Sequence, residues 1–348
     1  MNRFFYASII FVSVVLLMAA CTATVRINTV QPAAVNIPKE FKKVLLINRT
    51  GEDPNYKQTN KIEKMLSGDW SKRNPRNTFK VLEGLGAELT NSMKNYQVQI
   101  LKDTIFMGTG NVMFPEYLKP DFIDSLANKY EADFVIALET FDMDMISKVN
   151  GAPVTFNVVG IVAATPMGPT YTILHVTKLG WRIYPVGGGS LIDQHQHSYT
   201  MDFQRMGIPD QTVLLQLPKA KEGVNVALFD AGSFYGDRIT PHPITLVRQF
   251  FTSGSSSIKQ GARLAHLGKW DEAADRWAVG TKSGRRKVGK RSYYNMAVYY
   301  EVMGNLDEAI KMAETSYSVY GFREGLRYSN MLKHRRNMAR RVDEQTGE

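Results

Sequence analysis

One cysteine stands in 348 residues, Cys21, so the chain can form no internal disulfide and no thiolate metal cluster. Histidines are few, six in all, and no His-Glu-x-x-His occurs. There is no Gly-x-Ser-x-Gly elbow and no identifiable glycosidase-like pair of carboxylates. Acidic residues are outnumbered, 33 Asp and Glu against 43 Lys and Arg. The longest apolar run, Phe4 to Met18, is 15 residues. A bilayer core ~30 Å thick needs about 20 helical residues, so this run is short for a span. These absences argue against a disulfide scaffold, a zinc protease, an α/β-hydrolase and a membrane-spanning protein. What remains is globular: 44% apolar residues with four tryptophans, enough to bury a core.

The single cysteine has a telling position. A positive start, Met1-Asn2-Arg3, precedes the apolar run, which ends Leu17-Met18-Ala19-Ala20-Cys21. Charge, apolar stretch and small residues before a cut point describe a secretory signal. The last five residues resemble a bacterial lipobox, with Met18 where leucine is commonest. The resemblance implies that residues 1–20 are removed, that the Cys21 sulfur takes a diacylglyceryl group and that the freed amine is acylated. Each buried methylene contributes about 0.8 kcal/mol, so several chains hold a protein on a membrane. The mature chain would then carry no thiol, and a cysteine nucleophile is excluded.

The formal charge is +10, and residues 281–348 hold 14 Lys and Arg against 8 Asp and Glu. Basic surfaces attract nucleic acid, anionic lipid or acidic polymers. The plain reading is a solvated surface. An exported lipoprotein meets membrane and cell wall, so nucleic acid is not an expected partner.

Residues 21–41 lack periodicity and carry two prolines, so they are expected to be a flexible tether to the lipid. About 20 residues reach at most ~65 Å. No acidic run follows Cys21, which tilts the expectation toward the periplasmic face of the outer membrane. Residues 42–251 read as an α/β sheet domain. "KKVLLINRT" is a short buried strand, and Phe79, Leu82, Leu85, Leu89 and Met93 stand at helical spacing. "YQVQIL" alternates as a strand, a helix begins near Pro120, and a strand follows from Asp133. β-rich stretches come next: "PVTFNVVGIVAAT", then two that flank the Gly187–Gly189 turn of a hairpin. A helix around Lys219 to Tyr235 and a strand or extended crossing through "ITLVRQFF" complete it, with helices expected on one side of a largely antiparallel sheet.

Past the joint "TSGSSS", residues 254–341 are expected to be all helix, with 342–348 a disordered tail. "LGKWDEAADRW" from Leu267 and "MGNLDEAIKMA" from Met303 repeat at an offset of 36. Each has a glycine, Gly268 or Gly304, then Asp-Glu-Ala; the glycine ends one helix and the aspartate is expected to cap the next. Tyr293, Met296, Ala297 and Tyr300, with Gly261 and Leu264 in the earlier copy, occupy the large and small places of a tetratricopeptide repeat, which this segment resembles. A longer basic connection, Lys282 to Arg291, and missing prolines depart from that pattern. The fold class expected is therefore α+β: an α/β sheet domain with a β-hairpin extension, then tetratricopeptide-like helical hairpins.

Two further motifs need weighing. "GRRKVGKRS" (284–292) nearly matches a phosphate loop, but Arg291 replaces the hydroxyl and no strand precedes it, so a basic inter-repeat loop is expected. "MGTGNV" (107–112) is weaker still. Asp193, His195 and His197 share one strand face and could together hold zinc. Leu191, Tyr199, Met201 and Phe203 share it too, and histidines packed on a sheet are the commoner outcome. Asp142 and Asp144 read as a polar stripe, with Glu139 of opposite parity pointing away.

"LANKYEADFVIALE" (126–139) resembles the helix-into-strand step of periplasmic α/β lipoprotein domains related to the curli secretion channel, the penicillin-binding-protein activators and the amino-terminal domain of TolB. Trp181–Tyr184 ("WRIY") and the segment from Ala231 to Pro241 resemble an uncharacterised family of Bacteroidota outer-membrane lipoproteins with a tetratricopeptide-like end. That resemblance implies architecture and location but no activity. The leading expectation is a lipid-anchored envelope scaffold that binds another envelope protein through its repeats, with Trp270, Trp277, Tyr293 and Tyr300 as candidate contacts. It has no cofactor and no catalytic residue, and its partner and oligomeric state stay open. The alternatives are an exported metal-dependent hydrolase using the Asp193/His195/His197 face, and a structural envelope protein that grips anionic lipid or wall polymer.

Overall fold

The structure, a computed structural model, describes residues 21–50, 75–102, 113–149, 152–153, 170–206 and 220–347. The expected signal segment 1–20, "MGTGNV" and nearly all of "PVTFNVVGIVAAT" lie outside them. Contacts divide the chain into two units: Ala33–His242 with Gln345–Glu348, and Pro243–Glu344 with the segment ending at Pro32. The architecture is α+β, sheet first and helices after.

The sheet unit is built on β2 (Lys43–Asn48), β3 (Gln97–Ile100), β4 (Phe134–Val149), β5 (Ala152–Pro153), β6 (Thr170–Pro185) and β7 (Asp193–Met206). Their order is β3-β2-β4-β6-β7, with β5 on the far end of β4. β2 pairs in parallel with β3 and β4, whereas β4–β6 and β6–β7 are antiparallel. The sheet is thus mixed: parallel where helices connect strands, antiparallel where a hairpin does. That hairpin turns through Gly187, Gly188 and Gly189, all at positive φ, which side chains with a Cβ avoid. The carboxylate of Asp133 accepts from the amides of Lys42 and Lys43 at 2.7 and 2.8 Å, fixing the register of β2 beside β4.

Helices cover both faces, not one. Alternate residues of β2 and β4 are buried on opposite sides, as strand geometry requires. Val44, Leu46, Phe134, Ile136 and Leu138 join Val81, Leu82, Leu85 and Leu89 of α1 (Pro75–Asn91) and Val224, Leu228 and Ala231 of α3 (Ala220–Ile239). Leu45, Ile47, Val135 and Ala137 pack instead on Ile123 of α2 (Pro120–Tyr130). A continuous apolar strand such as "FVIALE" is the mark of burial on both faces.

α1 and α3 cross at their glycines. A Cβ placed on Gly84 would lie 1.9 Å from the carbonyl oxygen of Phe229, and one on Gly232 would lie 1.9 Å from that of Val81. Only hydrogen fits at either position.

In the second unit, β1 (Thr22–Gln31) and β8 (His242–Phe251) form a two-stranded sheet. The amide of Thr252 donates to the carbonyl of Cys21, and Thr245 bonds Asn28, so the strands run antiparallel. About half of the expected tether is therefore a strand, Thr22–Gln31. "TATVRINTVQ" carries β-branched residues at alternate positions, and β8 supplies the partner that a lone segment would lack. β8 likewise leaves the sheet to which its sequence was expected to belong.

Five helices follow: α4 (Ser256–His266), α5 (Trp270–Thr281), α6 (Arg286–Val302), α7 (Leu306–Tyr320) and α8 (Arg323–Thr346). Gly268 and Gly304 end α4 and α6 at φ of 76° and 79°. The aspartates do not cap. Lys269 and Asn305 hold the cap positions, and Asp271 and Asp307 sit inside the first turn, where they meet the helix dipole. The expected basic loop is helix from Arg286, and Gly289 packs within it against the Tyr320 ring. The expected tail is the last turn of α8, with Val342 buried.

Gly232→Ala is expected to lower the free energy of unfolding by about 1–3 kcal/mol, the usual cost of overpacking. A fall in the urea midpoint checks it; an unchanged midpoint would mean that the helices can separate without loss.

Candidate functional site

Asp193, His195 and His197 project from β7 toward α3, as their alternation requires, but they do not form an open ligand set. Both carboxylate oxygens of Asp193 are engaged: Arg238 donates to them at 2.9 and 3.1 Å, and the Tyr235 hydroxyl donates at 2.8 Å. The His195 and His197 rings stack near Tyr235 at 6.2 and 6.1 Å, and His197 Nε2 lies 3.4 Å from the carbonyl of Ala231. Among the described residues no three His, Cys, Asp or Glu side chains converge on a common point. Burial pushes the imidazole of His197 down to about 4, since the charged ring would lose its water. His175, edge-on to Phe203, is pushed down to about 4 for the same reason. The geometry is that of a strand zipped to a helix by a salt bridge and stacked rings.

The buried chemistry lies on the other face of the sheet. Pairing between β4 and β6 slips between Leu138 and Thr140, a bulge centred on Glu139. Past it, Phe141 and Met143 continue the apolar face of Phe134, Ile136 and Leu138. The parity argument that pointed Glu139 away from Asp142 and Asp144 fails for this reason. Glu139 is 1% exposed. Arg49, at the end of β2, donates to its Oε2 at 2.6 Å, the Tyr184 hydroxyl donates to Oε1 at 2.6 Å, and Arg182 stands 3.7 Å away. Burial, and then the neighbouring Glu139 carboxylate, push the Tyr184 phenol up to about 12.

The same arginines hold a loop. Arg49 donates to the carbonyl of Glu116 at 3.1 and 3.2 Å, and Arg182 donates to that of Pro115 at 2.7 Å. The Arg182 guanidinium also lies over the rings of Phe114 and Tyr117, at 4.8 and 4.1 Å from their centroids. Beside this loop opens a cleft of about 520 Å³, lined by Tyr117, Leu118, Ile123, Tyr184, Pro185 and Leu191 among others. Its wall is mainly apolar, and its one buried phenol is committed to Glu139. Glu139 itself is paired with Arg49 and hydrogen-bonded by Tyr184, and its neighbouring arginines hold the loop. Asp142 and Asp144 are both within reach of Lys178, at 3.4 and 3.5 Å, and form the part-exposed polar stripe that was expected.

Among the helices, Trp277 is fully buried, its indole N–H 3.4 Å from the carbonyl of Ile258 and its ring against Phe250. It is core and cannot touch a partner; the small residue Gly261 makes room for it. Trp270 packs edge-on to Phe250, Tyr293 lies beside Tyr320, and Tyr300 lies beside Tyr299, all half-buried. Cys21 is half-exposed at the head of β1. The Ser253 hydroxyl draws its thiol below the ordinary value; burial opposes this, and Arg291 and Lys287 add smaller downward pulls.

Residues 41–251 match a family model described as Domain of unknown function (DUF8603), and residues 259–338 match one described as Domain of unknown function (DUF6340). Nothing among curated proteins matches the chain. Of solved structures, a neuraminyllactose-binding hemagglutinin homolog from Helicobacter pylori is 11% identical, over 59% of this chain and 89% of that one, with a TM-score of 0.31. The hypothetical protein CT253 from Chlamydia trachomatis is 12% identical, over 57% of this chain and 97% of that one, with a TM-score of 0.24.

Two measurements follow from this geometry. Glu139→Ala leaves two guanidiniums buried without their carboxylate and is expected to cost about 3–5 kcal/mol, read by chemical denaturation. A variant as stable as the parent would show that water reaches the bulge. For His197, the unfolded chain binds a proton that the folded chain refuses. Its contribution is therefore complete above the ordinary histidine value of 6.5 and is lost as pH falls toward about 4. Stability should decline over that window, and His197→Gln should make the decline shallower.

Proposed function

The chain belongs to the family described as Domain of unknown function (DUF8603), which spans residues 41–251, and on that premise we propose that it is a lipid-anchored envelope lipoprotein acting as a scaffold for another protein. The observation that carries the reading is the lipobox pattern Leu17-Met18-Ala19-Ala20 ahead of the chain's only cysteine. Cys21 opens the described fold and its backbone is bonded to Thr252, so acyl chains on it would hold the helical unit close to the bilayer. The absence of an acidic run after Cys21 favours the periplasmic face of the outer membrane.

The binding role is read from the helices. α4 to α7 form two helical hairpins at the 36-residue offset, with Gly268 and Gly304 at equivalent turns and Ala273 and Ala309 at equivalent buried contacts. This supports reading the segment as tetratricopeptide-like, since stacked helical repeats create extended concave binding surfaces. With Trp277 in the core, the contacts offered fall to Trp270, Tyr293 and Tyr300. Exposed apolar side chains at Val279, Met303 and Val319 add to them. Among the described residues the buried glutamates, Glu139 and Glu301, are each paired with arginine.

Cys21→Ser is expected to stay folded and to leave the acylated membrane fraction, measured by metabolic labelling with a fatty acid and by envelope fractionation. Crosslinking in cells should then capture an envelope protein with the parent chain and lose it with the variant. Unchanged labelling would remove the anchor, and identical captured proteins would remove the link between anchor and partner.

A further inference from the structure

Between Asp275 and Glu301 the chain holds seven Lys and Arg residues and no acid. Five of them, Arg285, Arg286, Lys287, Lys290 and Arg291, occupy the cap and first two turns of α6. Cations there oppose the helix dipole. α5 and α7, in contrast, carry Asp-Glu in their first turns. None of the five cations is in an ion pair among the described residues. Arg286 donates to the carbonyl of Tyr320 at 2.7 Å, Lys290 lies over Phe322 at 4.4 Å, and Arg291 lies over Phe251 at 4.7 Å. Their partners are neutral, so the positive charge is kept. One acid, exposed Glu324 in the first turn of α8, follows Phe322 and Arg323 and leaves the balance positive.

The patch adjoins Cys21. The carbonyl of Cys21 accepts from Thr252 at 3.0 Å, and the next residue, Ser253, accepts from Arg291 through its carbonyl at 2.7 Å and its hydroxyl at 2.9 Å. Three hydrogen bonds thus connect the site of acylation to the basic turn, with no slack chain between them. Acyl chains leaving Cys21 must enter the bilayer beside these charges. At 0.1 M salt the Debye length is about 10 Å, so charges this close to a headgroup layer act on it.

We propose that this basic patch is a membrane-facing surface that binds anionic phospholipid headgroups around the acylated Cys21. The inference rests on the lipid-anchor reading and adds what the anchor alone does not supply. Several acyl chains retain a protein but let it swivel, whereas a ring of cations beside them sets which face looks away from the bilayer. The two helical hairpins would then be held at one orientation toward their partner.

The test uses the full chain expressed with its own signal, purified in detergent and reconstituted into phosphatidylcholine vesicles with or without phosphatidylglycerol. Mass spectrometry of the N-terminal peptide reads the anchor, and amide hydrogen exchange over residues 284–291 reads the patch. The expected result is an acylated peptide beginning at Cys21 and exchange several-fold slower with phosphatidylglycerol. The difference should vanish at high salt and in the Arg285→Gln/Lys287→Gln/Lys290→Gln variant, which keeps the structural bonds of Arg286 and Arg291. An acylated peptide with equal exchange in both vesicles overturns the patch and leaves the anchor standing. Equal slowing by inorganic phosphate over phosphatidylcholine vesicles also overturns it, by making the site one for free anions. A peptide without acyl groups overturns the anchor and the patch's placement together.

Discussion

A carboxylate that no water reaches must be met by charge and hydrogen bonds on every side, or it will not stay ionised. Glu139 sets that demand for the sheet unit. Arg49 comes from the end of β2, Tyr184 and Arg182 come from β6, and the bulge in β4 turns the carboxylate toward them. Three strands and the loop at Pro115 and Glu116 are thereby held to one geometry, because moving any of them strands a charge. The apolar cleft exists beside that loop for the same reason.

The helical unit repeats the device with unrelated residues. Glu301 is fully buried on α6; it accepts from Arg248 of β8 at 2.9 and 3.1 Å and from Tyr328 at 2.5 Å, and forms an ion pair with Arg335 of α8 at 2.6 Å. Among the described residues, the enclosed glutamate of each unit meets two arginines and a tyrosine. The desolvation cost of such clusters offsets much of their Coulombic gain, whereas removing one partner is strongly destabilising.

Much of the fold was legible. The apolar continuity of "VLLI" and "FVIA" marks strands buried on both faces, and the spacing of Leu82, Leu85 and Leu89 marks α1. The Gly187–Gly189 turn and the 36-residue repeat were legible because backbone conformation there has few sequence solutions. The pairing of β1 with β8 was not, since a strand far from its partner in sequence carries no local sign of it. The Glu139 site was hidden by one extra residue: period-2 reasoning holds only until a bulge, and a bulge is decided by both strands. The best available signal was an arginine and a glutamate each ending an apolar strand. Trp277 illustrates a related limit, since an aromatic at a repeat position reads the same whether it faces the core or a partner.

Local chemistry therefore determined the elements, the turns, the repeat and the lipobox-like cysteine, because each depends on neighbours a few residues away. Tertiary structure alone decided which elements share a sheet, which charges are paired in the dark and where Cys21 stands. The physical reason is the same throughout. Burial and pairing depend on residues brought together from distant parts of the chain, such as Cys21 and Arg291 beside Ser253, and no local pattern records that meeting.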